Sequence, residues 1–302
     1  MSVIGIDTSN YTTSVAYFDG ADGVNCSQLL PVAPGQLGLR QSDAVFAHIK
    51  SLPELSGRLF CHVKAADISA VAVSTRPRAV EGSYMPCFSV GYSHARMLSE
   101  LLKVPLFEVS HQQGHVAACL WSAGRLDLMD KPHLAWHLSG GTTELLLVEP
   151  EGKNVKCTRI GGTSDISAGQ LIDRTGVMLQ LPFPAGKHLD QLAGENGDLF
   201  KVKCPGLEFS FSGVQNKVQQ YSQSHTPEET AAYCLNSVCF AVKKATENAL
   251  AQYPGLEVVL SGGVASNSRL RAVMEPLGAV FGAPQYSTDN AMGVAILANR
   301  LK

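Results

Sequence analysis

Residues 133–150, HLAWHLSGGTTELLLVEP, repeat the pattern of residues 2–20, SVIGIDTSNYTTSVAYFDG. Each stretch has an apolar segment, a turn of small polar residues and a second segment rich in apolar, β-branched or aromatic side chains, which predicts two strands joined by a turn. Alternating helix and strand patterns follow both stretches. The sequence therefore predicts an internal duplication: an α/β protein with two similar lobes around a central cleft in which a ligand binds.

The length of 302 residues suits two lobes better than one small domain. We assign residues 1–130 to the first lobe and 131–287 to the second, and a C-terminal helix over 288–302 could return to the first lobe. Further predictions are helices over 42–55, 87–103, 166–179 and 227–253, a helix beginning near Ser268, and loops over 29–38 and 180–190.

Composition limits the classes of function. With 45% hydrophobic and 17% charged residues the chain is globular, and its net charge of -2 gives no general attraction to nucleic acid. Any RNA contact must therefore use a local patch or a partner protein. The eight cysteines form no CxxC pair, so we expect reduced, mostly buried thiols. The sequence shows no secretory leader and no membrane-spanning stretch, and we expect a cytoplasmic protein with no membrane association.

Two histidines stand four residues apart in SHQQGH, residues 110–115, at the start of a run with helical spacing. His111 and His115 would project from one face of a helix and could share one metal ion, although they could also be ordinary polar residues of a partly buried helix. Non-haem metals commonly take two histidines and one carboxylate. Asp289 in YSTDNAMG is the candidate carboxylate, and its alternative role is to cap the last helix.

Three glycine-rich turns indicate a nucleotide: LSGGTTE (138–144), RIGGTSD (159–165) and LSGGVASN (260–267). Their backbone N–H groups lack the obstruction of a Cβ, as phosphate or adenosine binding requires. A single Gly-Gly turn could merely shape a tight bend, whereas three in one lobe favour binding. None matches GxxxxGK[ST] or a GxGxxG helix start, so the common nucleotide folds are disfavoured.

The motifs GIDTS, SHQQGH, LSGGTTELL, ISAGQLIDRTG, FPAGKHLDQLA, FSFSG, LSGGVASNSRLR and STDNAMGVA follow one another in this order through almost the whole chain. In this order they resemble the TsaD family, which transfers threonylcarbamoyl to N6 of adenosine 37 in tRNA. The resemblance implies the actin/Hsp70/sugar-kinase (ASKHA) fold, with two ribonuclease-H-like lobes. It also implies an acyltransferase that acts on tRNA together with protein partners of the t6A machinery or as a homodimer.

The same resemblance implies the site. His111, His115 and Asp289 would hold one divalent metal, usually iron and sometimes zinc. ATP or threonylcarbamoyl-adenylate would lie in the second lobe, with AMP as the leaving group, and carboxylates there would accept hydrogen bonds from ribose hydroxyls. The implied nucleotide-binding residues are His137, Leu138, Ser139, Gly140, Gly141, Asp173, Gly186, Asp190 and Asn267.

The sequence departs from the family pattern at three places. Tyr11 and Thr12 replace an acidic pair, Thr142 replaces a histidine, and RPRAVEGSY replaces a G-P-G segment. The catalytic residues are therefore unassigned. Three readings stay open: a transferase that keeps the metal and adenylate contacts, a paralogue that binds ATP or an acyl-adenylate and acts on another acceptor, and a noncatalytic partner subunit. A metallopeptidase is disfavoured because the histidine pair lacks the HExxH glutamate.

Overall fold

The computed structural model describes residues 2–9, 11–31, 39–195 and 197–302. The chain divides into two compact units. The first unit comprises Met1–Lys131, Glu149–Cys157 and Thr288–Lys302, and the second comprises Pro132–Val148 and Thr158–Ser287. The lobe boundaries drawn from the sequence, after residues 130 and 287, stay a proposal.

The first unit contains a five-stranded sheet with the order β3-β2-β1-β4-β5. Its strands are β1 (Ser2–Asp7), β2 (Thr12–Phe18), β3 (Gly23–Leu29), β4 (Ile68–Arg76) and β5 (Leu106–Ser110). β1 and β2 pair antiparallel with Gly5 opposite Ala16, which confirms the first predicted hairpin. β1, β4 and β5 run parallel. Their carboxyl ends, at Asp7, Arg76 and Ser110, therefore lie at one edge of the sheet.

The second sheet has the order β11-β10-β6-β7-β8-β9. Its strands are β6 (His133–Leu138), β7 (Thr143–Glu151), β8 (Asn154–Thr163), β9 (Glu208–Phe209), β10 (Val258–Ser261) and β11 (Val280–Phe281). β6 pairs antiparallel with β7 and parallel with β10, which is parallel with β11. The order β8-β7-β6-β10-β11 repeats that of the first sheet, so the predicted duplication is present.

The described residues form ten α-helices. These are α1 (Gln41–Phe60), α2 (Phe88–Leu102), α3 (His111–Ser122), α4 (Ala168–Met178), α5 (Gly186–Leu192), α6 (Ser212–Tyr221), α7 (Pro227–Gln252), α8 (Ser268–Met274), α9 (Pro284–Ser287) and α10 (Met292–Leu301). The predicted helices correspond to α1, α2, α4, α7, α8 and α10, and α1 continues past Pro53 to Phe60.

One predicted loop is correct only in part, since residues 180–185 lie in no helix or strand but a helix begins at Gly186. Residues 186–190 belong to α5. This helix is held in place because Leu189 is buried in the hydrophobic core of the second unit. Asp173 also accepts a hydrogen bond from the N–H of Ala185, just before the helix. The predicted loop 29–38 lies mostly outside the described residues. No helix within the described ranges is long and apolar enough to cross a membrane. All eight cysteines are free, and six of them are buried.

Glycines bring the helices of the first unit close to its sheet and to one another. α10 packs against β1, β2, β4 and α3. A Cβ at Gly5 would meet the Ala291 carbonyl, and a Cβ at Gly293 would overlap the carbonyl of Gly114 on α3. Only glycine therefore permits this approach of α10 to α3. The packing places the segment just before α10 beside the first turns of α3.

Candidate metal centre and nucleotide-binding residues

A capping box fixes the start of α3. The Ser110 hydroxyl accepts a hydrogen bond from the Gln113 N–H at 3.2 Å, and the Gln113 Oε1 accepts one from the Ser110 N–H at 3.0 Å. The side chain of Gln113 also donates to the Val155 carbonyl at 2.7 Å. With the first turn held in this way, the rings of His111 and His115 meet edge to face, with centroids 4.4 Å apart and planes at 79° to each other.

The structure brings the two histidines together with Asp289. Nε2 of His115 lies 3.0 Å from Nε2 of His111 and 3.2 Å from Oδ1 of Asp289, and Nε2 of His111 lies 3.4 Å from the same oxygen. One ligand atom from each residue thus lies within 4.8 Å of the others. Asp289 does not cap α10: the amide oxygen of Asn290 accepts from the N–H groups of Met292 and Gly293 instead.

Asp7 is a site residue that the sequence analysis missed. It ends β1, is fully buried, and its Oδ1 lies 3.1 Å from Nδ1 of His111. The hydroxyls of Ser9 and Ser74 also donate to this carboxylate. A carboxylate on Nδ1 fixes the tautomer of a histidine and leaves Nε2 as the ligand atom. The available signal was an acidic residue at the end of an otherwise apolar strand, just before a polar turn.

Electrostatics at this cluster favour a cation. Burial alone would lower the pKa of His111, but the charges and hydrogen bonds of Asp7 and Asp289 raise it to about 10. Burial would raise the pKa of Asp289, yet the hydrogen bonds and charges of His111 and His115 hold it well below the usual range. The pKa of Asp7 is likewise lowered by His111 against the effect of burial. The fully buried Asp7 and the 20% exposed Asp289 remain ionised only with positive charge close by, which protonated His111 or a bound cation can supply.

The Gly-Gly turn after β6 lies in the second unit. The Ser139 N–H donates to the Thr142 carbonyl at 2.8 Å, and the Thr142 N–H donates to the Ser139 hydroxyl at 3.1 Å. A Cβ added at Gly140 or Gly141 would meet no atom within 4 Å, so the side of the turn on which a Cβ would lie faces open space. Of the two residues before the turn, Leu138 is fully buried and His137 is almost so.

The turn is held against α4. The Ser167 hydroxyl donates to the Gly140 carbonyl at 2.7 Å, and a Cβ at Gly169 would overlap the backbone of Gly140. The implied residues Asp190 and Asn267 also lie together. Asp190 accepts from the Asn267 amide at 2.8 Å and from the N–H and hydroxyl of Ser268 at 3.0 and 2.9 Å.

The remaining implied nucleotide residues lie on α4 and α5. Asp173 accepts from the Ala185 N–H at 2.8 Å, and burial raises its pKa. Gly186 begins α5, and a Cβ there would meet no atom within 4 Å. No hydrogen bond between Asp173 and Asp190 or Asn267 is found among the described residues.

Asp165 is a second residue that the sequence analysis left without a role. Its carboxylate accepts hydrogen bonds from the N–H groups of Phe211 and Ser212 and from the Ser210 hydroxyl. These bonds outweigh the effect of burial and lower its pKa. They tie the RIGGTSD segment to the FSFSG segment, which fixes the geometry of this part of the second unit.

Tyr11 and Thr12, which stand where the family has an acidic pair, form hydrogen bonds through their backbone groups. The Thr12 N–H donates to the Ser9 carbonyl at 3.1 Å, and the Tyr11 carbonyl accepts from the Leu30 N–H at 2.7 Å. Thr12 begins β2. Neither side chain carries a carboxylate, so no acidic group is supplied from these two positions.

Comparisons with solved structures establish the fold. The chain is similar to the (R)-2-hydroxyglutaryl-CoA dehydratase component A of Acidaminococcus fermentans, with a TM-score of 0.57, 16% identity and coverage of 100% of both chains. It is also similar to full-length HypF in its phosphate- and nucleotide-bound form, with a TM-score of 0.63, 15% identity and coverage of 99% of this chain and 46% of HypF. The predicted two-lobe α/β fold of the ASKHA type is confirmed.

Sequence comparisons identify the family. The TsaD family model, described as tRNA N6-adenosine threonylcarbamoyltransferase, matches residues 38–296. A protein of that name from Carboxydothermus hydrogenoformans is 31% identical over 97% of this chain and 90% of its own length. Another from Archaeoglobus fulgidus is 30% identical over 98% of this chain and 90% of its own length. The chain therefore belongs to the TsaD family of tRNA N6-adenosine threonylcarbamoyltransferases.

Proposed function

We propose that this chain transfers the threonylcarbamoyl group of threonylcarbamoyl-adenylate to N6 of adenosine 37 in tRNA. Family membership supports the reaction type. The observation that carries the proposal is the convergence of His111, His115 and Asp289 in the first unit. We further propose that the reaction takes place in the cytoplasm, either with protein partners of the t6A machinery or in a homodimer.

The three side chains fit a metal ion. Ligand atoms bound about 2.1 Å from one metal, at angles between octahedral and tetrahedral, are about 3.0–3.4 Å apart, and the three separations are 3.0, 3.2 and 3.4 Å. Two imidazoles and one carboxylate are the ligand set of non-haem iron and also suit zinc. When bound, such an ion would polarise the carbonyl of the acyl group as a Lewis acid.

The side chains and backbone of this chain would bind and orient the metal and the nucleotide. Asp7 holds Nδ1 of His111, so that Nε2 is directed to the metal position. In the second unit, the open Gly140–Gly141 turn offers backbone N–H groups to the adenylate phosphate or to ATP. Asp173, Gly186, Asp190 and Asn267 would contact the rest of the nucleotide. Asp190 already accepts three hydrogen bonds, so a ribose hydroxyl would have to share its oxygens.

The test is a transfer assay with synthetic threonylcarbamoyl-adenylate and unmodified tRNA, with the modified nucleoside measured by mass spectrometry. We expect product from the wild type, and loss of both product and bound metal in His111→Ala and Asp289→Ala. His94→Ala, which changes a histidine of α2 outside the cluster, is the control. A wild type that binds metal and adenylate but makes no modified tRNA contradicts the proposal.

The changes at Tyr11, Thr12 and Thr142 support a second candidate, a paralogue that binds ATP or an acyl-adenylate and acts on another acceptor. In the same assay, where its own acceptor is absent, this paralogue would release AMP only by transfer of the acyl group to water, at a rate that tRNA does not change. A noncatalytic partner subunit would bind nucleotide without consuming it. The rate of AMP release with and without tRNA therefore separates the three readings.

A further inference from the structure

We propose that the segment Arg76–Tyr84, which we name the Arg–Tyr loop, is the surface on which this chain binds its nucleic-acid acceptor. Arg76 and Arg78 would contact backbone phosphates, and the ring of Tyr84 would stack on an unpaired base. This inference rests on the proposed function, because it takes tRNA as the acceptor.

The first argument is position. The loop follows the carboxyl end of β4, and Arg76 stands opposite Ser110 at the end of β5. The N–H of Gln112, the residue after His111, donates to the Pro77 carbonyl at 3.0 Å. Ligands of parallel α/β sheets bind at the carboxyl ends of the strands. The loop therefore begins beside the candidate metal centre, where an acceptor must arrive.

The second argument is the shape of the loop. The Arg78 N–H donates to the Ser83 hydroxyl at 3.0 Å, and the Ser83 N–H donates to the Val80 carbonyl at 3.3 Å. Gly82 provides the positive φ of 74° that this turn needs. The closed loop leaves the Tyr84 side chain 70% exposed. A large aromatic ring presented to solvent on a closed loop suits a macromolecular ligand better than a small molecule, which is normally enclosed in a pocket.

The third argument is charge. The chain carries a net charge of -2, so RNA binding needs a local source of positive charge. The loop contains two arginines, the exposed Arg76 and the half-buried Arg78, and one acidic residue, Glu81. Arg76 is exposed and forms no ion pair with any residue in the described ranges. Guanidinium groups bind phosphate in a bidentate manner, and aromatic rings stack on bases of any sequence.

The experiment measures binding of a fluorescently labelled anticodon stem-loop RNA, with adenosine at position 37, to the full chain over a range of salt concentrations. The double variant R76A/R78A should bind at least about tenfold more weakly, and its slope of log K against log salt should fall by about 1.4–1.8, since each lost phosphate contact removes about 0.7–0.9. Arg58→Ala, an exposed arginine of α1, and Glu81→Gln should not weaken binding.

Two further variants separate contact with RNA from a structural role of the loop. R76K/R78K retains the positive charge and should keep most of the affinity for the stem-loop. If the guanidinium groups only maintained the structure of the loop, this variant would lose that affinity. Tyr84→Leu should weaken binding to the stem-loop about tenfold and leave binding to a fully paired duplex unchanged. Equal affinity of wild type and R76A/R78A, or no RNA binding by the wild type, overturns the inference. Loop-dependent binding without transfer would instead contradict only the proposed function.

Discussion

Nδ1 of His111 lies 3.1 Å from Oδ1 of Asp7, although the two residues are 104 positions apart in the chain. Asp7 is fully buried, and the Ser9 hydroxyl holds its second oxygen at 2.6 Å. The carboxylate is therefore fixed before any ligand binds, and it determines which nitrogen of His111 is available to a metal.

We expect Asp7→Asn to lower metal affinity about 10- to 100-fold, because an amide is neutral and can donate to Nδ1, which favours the wrong tautomer. Competition with a chelator of known affinity measures this change. Asp22→Asn, on the exposed turn after β2, is the matched control and should retain wild-type affinity. Equal affinity of all three proteins would remove Asp7 from the site.

Gly293→Ala should destabilise the first unit by about 1–3 kcal/mol and reduce metal binding, because the added methyl overlaps the Gly114 carbonyl and pushes α10 away from α3. Gly57→Ala is the contrasting control: it lies within α1 with no neighbour within 4 Å and should stabilise by about 0.5–1 kcal/mol. Urea unfolding followed by circular dichroism measures both. A Gly293→Ala variant with wild-type stability and full metal content would show that neither folding nor metal binding needs the close contact between α10 and α3.

Acid should destabilise the protein through His48. This side chain is buried on α1 with Nδ1 2.8 Å from the Thr13 hydroxyl, and burial lowers its pKa to about 4, against the opposing effect of Asp7 and Asp289. The unfolded chain, with a histidine pKa of about 6.5, takes up the proton first. The contribution of neutral His48 to the free energy of unfolding is therefore complete above pH 6.5. It falls by about 1.4 kcal/mol per pH unit as the pH is lowered towards 4.

The measurement is the free energy of unfolding from pH 7 to pH 5 in wild type and His48→Gln. The variant should lose less stability than the wild type over this interval, whereas His62→Gln, which changes an exposed histidine, should follow the wild type. If the free energy of unfolding changed equally with pH in wild type and His48→Gln, His48 would have the same pKa in the folded and unfolded states.

Gly141→Ala should leave the free energy of unfolding unchanged within about 0.5 kcal/mol, because a Cβ there meets no atom within 4 Å. It should weaken binding of ATP or of the adenylate about tenfold by obstructing the approach of phosphate to the backbone. Gly169→Ala should instead destabilise, since its Cβ overlaps the Gly140 backbone. Calorimetric titration and thermal unfolding distinguish the two effects. Unchanged ATP affinity in Gly141→Ala would place the nucleotide elsewhere.

The parts of the structure that depend on local pattern could be predicted. Apolar and β-branched segments on either side of a turn of small polar residues predicted both hairpins, and the spacing of His111 and His115 predicted their shared helix face. The strand order of each sheet could not be read directly, but the repeated hairpin implied that the two would match. The start of α5 was missed because its seven residues follow a proline-rich stretch and carry little periodicity.

The rest depends on contacts between distant positions. Asp289 is 174 residues from His115, and its placement depends on the packing of Gly293 against Gly114, which no local pattern reveals. The residues alone left Asp289 with two possible roles, metal ligand or helix cap, and the resemblance to a family favoured the ligand. It did not supply Asp7, whose role appears only when β1 and β5 end at the same sheet edge.

The first unit is assembled from stretches that are far apart in the chain, because its segment Thr288–Lys302 follows all of the second unit. During translation, Asp289 leaves the ribosome only after the second unit has been synthesised. A nascent chain could form the histidine pair early, yet it could not complete the three-residue cluster until the second unit had been synthesised. Loading of the proposed metal would thus be delayed until the proposed nucleotide-binding residues had also been made, and products that end before Asp289 would lack the full ligand set.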